Sequence, residues 1–412
     1  MTEPVPHLPH DFYTARPVLR TIRDAAFARQ VSPDAVLAAL LCRVAASLPP
    51  GIVLPDGGTL DFVAAVIGAP GTGKSKAMNA ARDLLPDVGT NLDGIPIGSG
   101  EGIAAAYVGK VDEHGANPVV NTSALLYVDE GEQLLTVGKR EGSTTLNTIR
   151  TCWSGQAFGS MNASTDRRRV VKAGTYRFAL CVGFQPRYSA ELLTGQDVGD
   201  PQRYLFAGVT HPDIRDVPPP FPTPIRLTLT GTANDCVVDV DAEIAAAVQR
   251  RRGAVARGDV VPDPLDTHRD LLTLKTAALL SFLDDDGDVS PVYWELAKAV
   301  VDNSRTIREH LIAASKAAVD EQLRAAADRD ARRDAFREQS KEQRALTTCA
   351  RSMIRKAKSA GCGVTRSTLT QAVAGKYRNV VDVDDVIDFA CETGTDDGRL
   401  RRDGDYFAFV AP

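Results

Sequence analysis

The most informative pattern in the chain is a short apolar run that ends in a glycine-rich turn. Residues 61–67 (DFVAAVI) are rich in β-branched side chains, and residues 75–85 (SKAMNAARDLL) have the spacing of a helix. The pattern therefore predicts a buried strand, a turn and a helix in direct succession. Two later apolar runs, 124–130 (ALLYVDE) and 176–183 (YRFALCVG), predict further strands of the same core.

Segments with helical periodicity precede and follow this predicted core in the sequence. Residues 16–30 and 32–48 predict two helices near the N-terminus, the second opened by Ser32 as N-cap and Pro33 at the first helical position. A proline-rich segment at 212–224 marks the exit from the core, and periodic apolar positions return after it. The sequence therefore predicts an α/β fold, with a mainly parallel sheet covered by helices.

The last part of the chain has a different pattern, with three short helical segments and a hairpin that turns near Asp403 and Gly404. This order is typical of a winged-helix domain. The predicted domains are, in chain order, an N-terminal arm with helices (1–60), the α/β core (61–228), a helical lid (229–318), a charged connecting helix (319–344) and the winged-helix domain (345–412).

The composition limits the classes of protein that the chain can belong to, but it does not identify a function. The 412 residues are 43% hydrophobic and 25% charged, which is ordinary for a globular protein of more than one domain. The net charge of −5 means that nucleic acid would have to bind a local basic patch. The seven cysteines have no C-x-x-C spacing and are expected to be reduced thiols. Neither a long apolar run nor a signal peptide occurs, so a cytoplasmic protein without a membrane is expected.

The glycine-rich turn fills the pattern G-x-x-x-x-G-K-[ST] without a mismatch. Glycines let backbone N–H groups surround phosphates, Lys74 reaches the β- and γ-phosphates, and the Ser75 hydroxyl can bind Mg²⁺. The predicted core is therefore a P-loop NTPase (AAA+/RecA-like) that binds ATP and Mg²⁺; the alternative is a glycine turn that matches by chance. The residues predicted to bind the nucleotide are Gly68, Gly71, Thr72, Gly73, Lys74 and Ser75.

Two carboxylates follow the second predicted strand. Asp129 can hold Mg²⁺, and Glu130 can orient or deprotonate the attacking water. The alternative is that both carboxylates only cap the helix that begins in GEQLLTV. At the tip of the third strand, Gln185 is predicted to sense the nucleotide. His268 and Arg269 are candidates for reaching phosphate from the lid.

Residues 157–172 (AFGSMNASTDRRRVVK) predict a β-hairpin with a polar, basic middle. Several cations on one hairpin can contact several phosphates of DNA without reading its bases. The alternative is a solvated edge strand whose charges prevent aggregation. The residues predicted to bind DNA are Arg167, Arg168, Arg169 and Lys172.

The predicted third helix of the tail is acidic and would be repelled by a major groove. Contact with DNA would have to come from cations elsewhere in the tail, and contact with a protein stays open as an alternative. The tail cations are Lys376, Arg378, Arg399, Arg401 and Arg402.

Five segments together resemble the helicase-like ATPase domain of replication proteins from actinobacterial phages, plasmids and integrated elements. These segments are GAPGTGKS, IGSGEG, LLYVDEGEQLL, YRFALCVGFQP and GDPQRYLF, and the resemblance covers roughly residues 16–310. Their order is also similar to that of minichromosome maintenance and superfamily 3 helicases. The resemblance implies a homo-oligomeric ring, a hexamer, in which the basic hairpin projects into a central pore. It also implies that Arg203 is a catalytic arginine finger toward the adjacent subunit, and that Gln185 replaces a sensor asparagine.

The expected function is that of an ATP-dependent DNA helicase or translocase in the replication of a phage or mobile element. Because about 60 residues precede the first core strand, priming is expected from a separate primase or replication protein, which the C-terminal tail would bind. The alternative is a regulatory ATPase, a replication initiator or helicase loader, that assembles with a protein partner without unwinding DNA. A metabolic kinase is disfavoured, because the Asp129–Glu130 pair suits activation of water.

Overall fold

The computed structural model describes residues 5–162, 164, 168–194, 201–228 and 235–412. It divides into two units, Met1–Lys316 and Ala317–Pro412. Arg167, predicted to bind DNA, lies outside the described residues. No single helix in the described ranges is long and apolar enough to cross a membrane; one helix pair, Pro17–Ala28 with Pro33–Ser47, passes on length and composition but is bent by 118°.

The first unit is a mixed α/β structure. Its strands are β1 (Gly51–Val53), β2 (Phe62–Ile67), β3 (Asp93–Ile95), β4 (Ser123–Val128), β5 (Phe158–Ser160), β6 (Arg169–Val171), β7 (Arg177–Phe184), β8 (Tyr204–Gly208) and β9 (Asp235–Val237). Its helices are α1 (His10–Thr14), α2 (Pro17–Ala28), α3 (Pro33–Ser47), α4 (Lys74–Leu84), α5 (Gly100–Tyr107), α6 (Gly131–Gly138), α7 (Thr145–Trp153), α8 (Pro186–Thr194), α9 (Ala242–Ala256), α10 (Arg269–Leu283) and the beginning of α11 (Pro291–Ala360).

Five of these strands form a parallel sheet in the order β3-β4-β7-β2-β8. Every residue of β2 and β7 is buried, as expected for central strands covered on both faces. The strands predicted at 61–67, 124–130 and 176–183 are thus confirmed as neighbours in one sheet. Two small pairs lie outside it, parallel β1 with β9 and antiparallel β5 with β6.

Helix α3 is apolar on all sides and almost fully buried against the sheet. It begins as predicted, because the Ser32 hydroxyl accepts a hydrogen bond from the Asp34 N–H. The Asp34 carboxylate is itself buried and accepts hydrogen bonds from the Leu8 N–H (2.8 Å) and the Tyr13 hydroxyl (2.7 Å). This carboxylate therefore anchors the N-terminal arm rather than only favouring the helix dipole.

The second unit has its own apolar core, formed by residues such as Met353, Leu369, Val386 and Phe407. Its remaining elements are β10 (Val364–Thr365), α12 (Arg366–Ala372), α13 (Val383–Glu392), β11 (Arg399–Asp403) and β12 (Tyr406–Val410). The three strands pair antiparallel in the order β10-β12-β11. The hairpin turns at Gly404, close to the predicted position, with φ at +58°. Residues 319–344, predicted as a separate connecting helix, lie within α11.

A fully buried lysine marks the amino-terminal edge of the parallel sheet. The Lys275 ammonium donates to the backbone oxygens of Asp61 (2.9 Å) and Trp153 (2.6 Å). Burial, assisted by the cations of Arg177 and Arg203, lowers the pKa of Lys275 to about 7. Burial likewise raises the pKa of the neighbouring Asp61 carboxyl group. Lys275 therefore links helix α10 to the start of β2 by hydrogen bonds that do not require its charge.

This pKa predicts a pH dependence of stability. Between about pH 7 and the ordinary lysine value of 10.5, the unfolded chain binds a proton on Lys275 that the folded chain does not, so raising the pH favours folding. Relative to Lys275→Met, the free energy of unfolding of the wild type should rise by up to about 1.4 kcal/mol per pH unit between about pH 8 and about pH 9.5. Urea unfolding at matched ionic strength measures this, with the exposed Lys298→Met as control. A difference that is constant with pH would show that the buried amine stays protonated.

Candidate functional site

A cleft lies at the carboxyl edge of the parallel sheet. Strands β4, β7 and β2 are adjacent and parallel, so the residues that follow them meet at one edge. The cleft has a volume of about 340 Å³. It is lined by Pro70, Gly71, Gly73, Lys74, Ser75, Lys76, Asp129, Glu130, Gly131, Glu132, Gly183 and Gln185. The structure thus brings together the residues that the sequence predicted at the ends of three separate strands.

The glycine-rich loop between β2 and α4 depends on its glycines. Gly71 and Gly73 have φ values of +76° and +103°, a region that other residues rarely adopt. A side chain at Gly68 would bring its Cβ to 2.2 Å from the Cγ2 of Val209. Lys74 folds back over the loop, and its Nζ donates to the backbone oxygens of Gly68 (3.0 Å) and Ala69 (3.2 Å). The ammonium group is therefore held at the loop by two backbone carbonyls.

A hydroxyl and a carboxylate lie side by side in the cleft. The Ser75 hydroxyl donates to Asp129 Oδ1 at 2.7 Å, and the Tyr127 hydroxyl donates to the same oxygen at 2.8 Å. Burial, and then this bond to Asp129, raise the pKa of Tyr127, which keeps it a donor. Gly183 permits the close approach, since a Cβ there would lie 2.5 Å from the Asp129 backbone oxygen and 3.4 Å from Lys74 Cδ.

This pair of oxygen donors fits Mg²⁺, which is usually held by one or two protein ligands together with phosphate oxygens and water. Within the described ranges, no three or more His, Cys, Asp or Glu side chains are grouped to hold a metal ion by themselves. Ser75 and Asp129 could therefore hold a metal ion only together with further ligands, such as phosphate oxygens or water.

Glu130 occupies the N-cap position of α6, but its side chain makes no capping hydrogen bond. Its carboxylate is exposed in the cleft. The Glu130 side chain therefore does not cap helix α6 in the structure.

Glu132 is a site residue that the sequence analysis missed. Its Oε1 accepts a hydrogen bond from Gln185 Nε2 at 2.8 Å. Its hydrogen bond with the Tyr188 hydroxyl raises the pKa of that tyrosine. Glu132 follows the Asp129–Glu130 pair by only two residues, and this position could have indicated a site residue. Its hydrogen-bond partner, however, lies 53 positions further along the chain. Only the pairing of β4 with β7 brings the two together.

Arg203 lies at the amino-terminal ends of the parallel strands, whereas the cleft lies at their carboxyl ends. It precedes β8, whose first residue pairs with Val63 near the start of β2, whereas the glycine-rich loop follows the end of β2. Its guanidinium carbon lies 5.5 Å from the ring centroid of Trp153, and the side chain is half-buried. The structure therefore does not bring Arg203 into the cleft of its own chain, and its predicted action on another subunit stays a prediction.

The two lid candidates are also distant from the loop. The ring of His268 packs 5.3 Å from that of Trp153, and burial lowers the pKa of this histidine to about 4. Arg269 forms ion pairs with Asp302 and Asp266. Neither side chain lines the cleft, and their predicted contact with phosphate stays a prediction.

The predicted basic hairpin is confirmed as the antiparallel pair β5 and β6. Phe158 at its base packs edge-on against Tyr107 (5.8 Å) and Tyr176 (5.0 Å), which fixes the hairpin to α5 and the sheet. Arg168 and Arg169 are half-exposed and Lys172 is exposed. Three of the four predicted DNA-binding cations are thus described, and they are accessible to solvent.

Comparison with known proteins assigns no family to the chain. No protein-family model matches it. No curated protein matches it significantly. The functional assignment therefore depends on the chemistry of the cleft and of the hairpin.

Proposed function

We propose that the protein is an ATP hydrolase with a P-loop NTPase core of the AAA+ type. One observation carries the proposal: the carboxyl edge of the sheet collects an ammonium group, a hydroxyl, two carboxylates and an amide from three adjacent strands. These groups belong to Lys74, Ser75, Asp129, Glu130 and Gln185. Phosphoryl transfer requires positioning and charge stabilisation rather than covalent chemistry from the protein, and these are the groups that supply them.

Each group has a role that follows from its position. The loop amides and Lys74 bind the phosphates, while Ser75 and Asp129 hold Mg²⁺, which when bound offsets negative charge on the phosphate oxygens. Glu130 orients or deprotonates the attacking water because its carboxylate is not engaged as a helix cap. One N–H of the Gln185 amide donates to Glu132, and the other would donate toward the terminal phosphate.

We further propose that hydrolysis drives movement on DNA as a helicase or translocase in the replication of a phage or mobile element. In this proposal the chain forms a ring, a hexamer by resemblance, and Arg203 completes the site of the adjacent subunit. The solvent-accessible cations of the hairpin, half-exposed Arg168 and Arg169 and exposed Lys172, support the DNA contact. The elements after the core would form the lid, and the tail unit would be a winged-helix domain.

One observation favours a second function, that of a replication initiator or helicase loader. Helix α13 carries exposed acidic groups, and one of them, Asp384, forms a two-pronged ion pair with Arg366 (2.8 and 2.7 Å). Such a surface repels DNA and suits a protein partner, for example a separate primase. The two functions differ in whether DNA stimulates ATP hydrolysis.

Replacing Arg168, Arg169 and Lys172 together by alanine should remove most of the stimulation of ATP hydrolysis by single-stranded DNA. The affinity for an oligonucleotide should fall at least about tenfold, and the slope of log K against log salt should shrink by about 0.7 for each phosphate that the variant no longer neutralises. Phosphate release and fluorescence anisotropy measure the two effects.

The matched control changes the same amount of charge on the exposed surface of α11, as Arg324→Ala, Arg329→Ala and Arg332→Ala. Equal DNA stimulation in both triple variants would refute the DNA role of the hairpin and favour the regulatory function.

A further inference from the structure

Residues 109–121 form an ordered loop that the sequence analysis did not single out. Val108 and Val119 pair in antiparallel fashion across its base. The Asp112 carboxylate accepts the backbone N–H of His114 at 3.0 Å and so closes the tip. The loop is therefore a second hairpin-like projection, joined to the carboxyl end of α5.

Asn117 connects this loop to the basic hairpin. Its Nδ2 donates to the backbone oxygens of Arg168 (2.9 Å) and Gly109 (3.0 Å), and its Oδ1 accepts the Val170 N–H (3.1 Å). The side-chain amide thus occupies the place of a neighbouring strand along the outer edge of β6. It satisfies backbone groups on both sides of Arg169, and so it fixes the segment that carries the cations.

Large aliphatic side chains are exposed on both parts of this joined element. Val119 and Val120 on the loop are 63% and 59% exposed, and Met161 on the hairpin is 76% exposed. Apolar side chains beside cations suit a ligand that has both phosphates and accessible base faces. In a duplex the base faces are stacked and covered, whereas in a single strand they can be contacted.

The charges indicate the path of the phosphates. Exposed Lys110 lies at the base of the loop, and Arg168 and Lys172 lie on the hairpin. The tip carries two exposed carboxylates, Asp112 and Glu113, and both repel phosphates, although Asp112 Oδ1 also accepts two backbone N–H groups. A nucleic acid would therefore follow the base of the loop and the hairpin rather than the tip.

We propose that Asn117 is a positioning residue that makes loop 109–121 and the basic hairpin one surface for single-stranded DNA. The inference rests on the proposed function and adds a second contact element to it. Phosphates meet the cations, and bases lie against Val120 and Met161.

Photo-cross-linking tests where the DNA lies. The photoreactive residue p-benzoylphenylalanine is placed in three separate variants at Val120, at Met161 and, as control, at Val217, which is 79% exposed elsewhere in the same unit. A labelled oligothymidine should cross-link at positions 120 and 161 but not at 217, and a duplex of equal length should compete poorly. Cross-linking at position 161 alone, or equal competition by duplex, would overturn the inference and leave the proposed function standing. Cross-linking at neither position would overturn both.

Substitution of Asn117 tests the connection. Asn117→Ala should weaken oligothymidine binding about tenfold, because the variant lacks the three hydrogen bonds that hold the two parts in register. Hydrogen exchange at the Val170 amide should become faster, while the thermal midpoint and the affinity for ADP stay close to wild type. His114→Ala at the loop tip is the control and should change neither binding nor exchange.

Asn117→Asp provides a second variant in case the alanine form folds poorly. It keeps the acceptor for the Val170 N–H but cannot donate either of the other two bonds, so cross-linking at position 120 should fall while cross-linking at position 161 persists. Wild-type DNA affinity in folded Asn117→Ala despite faster exchange at Val170, or unchanged cross-linking at position 120 in folded Asn117→Asp, would refute the positioning role.

Discussion

Replacing Lys74 by alanine is expected to reduce ATP hydrolysis at least about 100-fold, since a preorganised charge at the transferring phosphate is worth that much or more. The ammonium group is held over the glycine-rich loop by the Gly68 and Ala69 carbonyls, so Lys74 is already positioned where the phosphates are proposed to bind. Phosphate release at saturating Mg²⁺ and ATP measures the effect.

Two variants give this experiment its controls. Lys298→Ala removes an exposed lysine that is paired with Glu295 on α11, and it should hydrolyse ATP at the wild-type rate. Glu130→Gln should bind ATP normally yet hydrolyse it about 100 times more slowly or worse, since it removes only the general base. Wild-type activity of Lys74→Ala would show that ATP is hydrolysed at another site.

Substitution of Arg203 should have an effect as large, but only through a neighbouring subunit. An arginine finger contributes about 10³- to 10⁵-fold to hydrolysis, so Arg203→Ala should be nearly inactive. The distinguishing experiment mixes Arg203→Ala with the inactive Lys74→Ala. In a mixed ring, an active site needs Lys74 from an Arg203→Ala chain and Arg203 from an adjacent Lys74→Ala chain. After random mixing of equal amounts, about a quarter of the sites should meet both conditions and be active.

The same mixture separates catalysis from packing. Arg203 lies against Trp153 in its own chain, so its removal could also disturb the core. A folding defect would lower the thermal midpoint of Arg203→Ala alone, and that defect would persist after mixing. If the two inactive chains stay inactive together while both remain folded and assembled, the arginine does not act across an interface.

Much of the core was predictable because its signals are local. The apolar runs that became β2, β4 and β7 are each followed immediately by the groups that line the cleft. Parallel strands place such groups at one edge, so spacing along the chain was sufficient to group Lys74 with Asp129 and Gln185. The start of helix α3 was predictable for the same reason, because its signals, Ser32 and Pro33, are adjacent in sequence.

The missed features depend on partners that are distant in sequence. Glu132 gains its role from Gln185, and Asn117 gains its role from β6, so neither has a pattern of its own. Lys275 lies in an apolar helix and would have been expected at the surface, yet it ends against backbone oxygens more than 100 residues away. The position of His268 could not be predicted for the same reason, because tertiary packing places its ring beside Trp153.

The hydrogen bond between Gln185 and Glu132 has a consequence for how the state of the nucleotide is communicated. One N–H of the Gln185 amide donates to Glu132 at 2.8 Å. The amide has a second N–H, so under the proposed function it could donate to a terminal phosphate as well as to Glu132. Glu132 lies in the first turn of α6, and the chain runs from there through α7 into β5 of the hairpin. If the proposed function is correct, a triphosphate would add a partner to this amide that a diphosphate does not offer. The amide would then join the third phosphate to Glu132, at the start of the segment that leads to the basic hairpin.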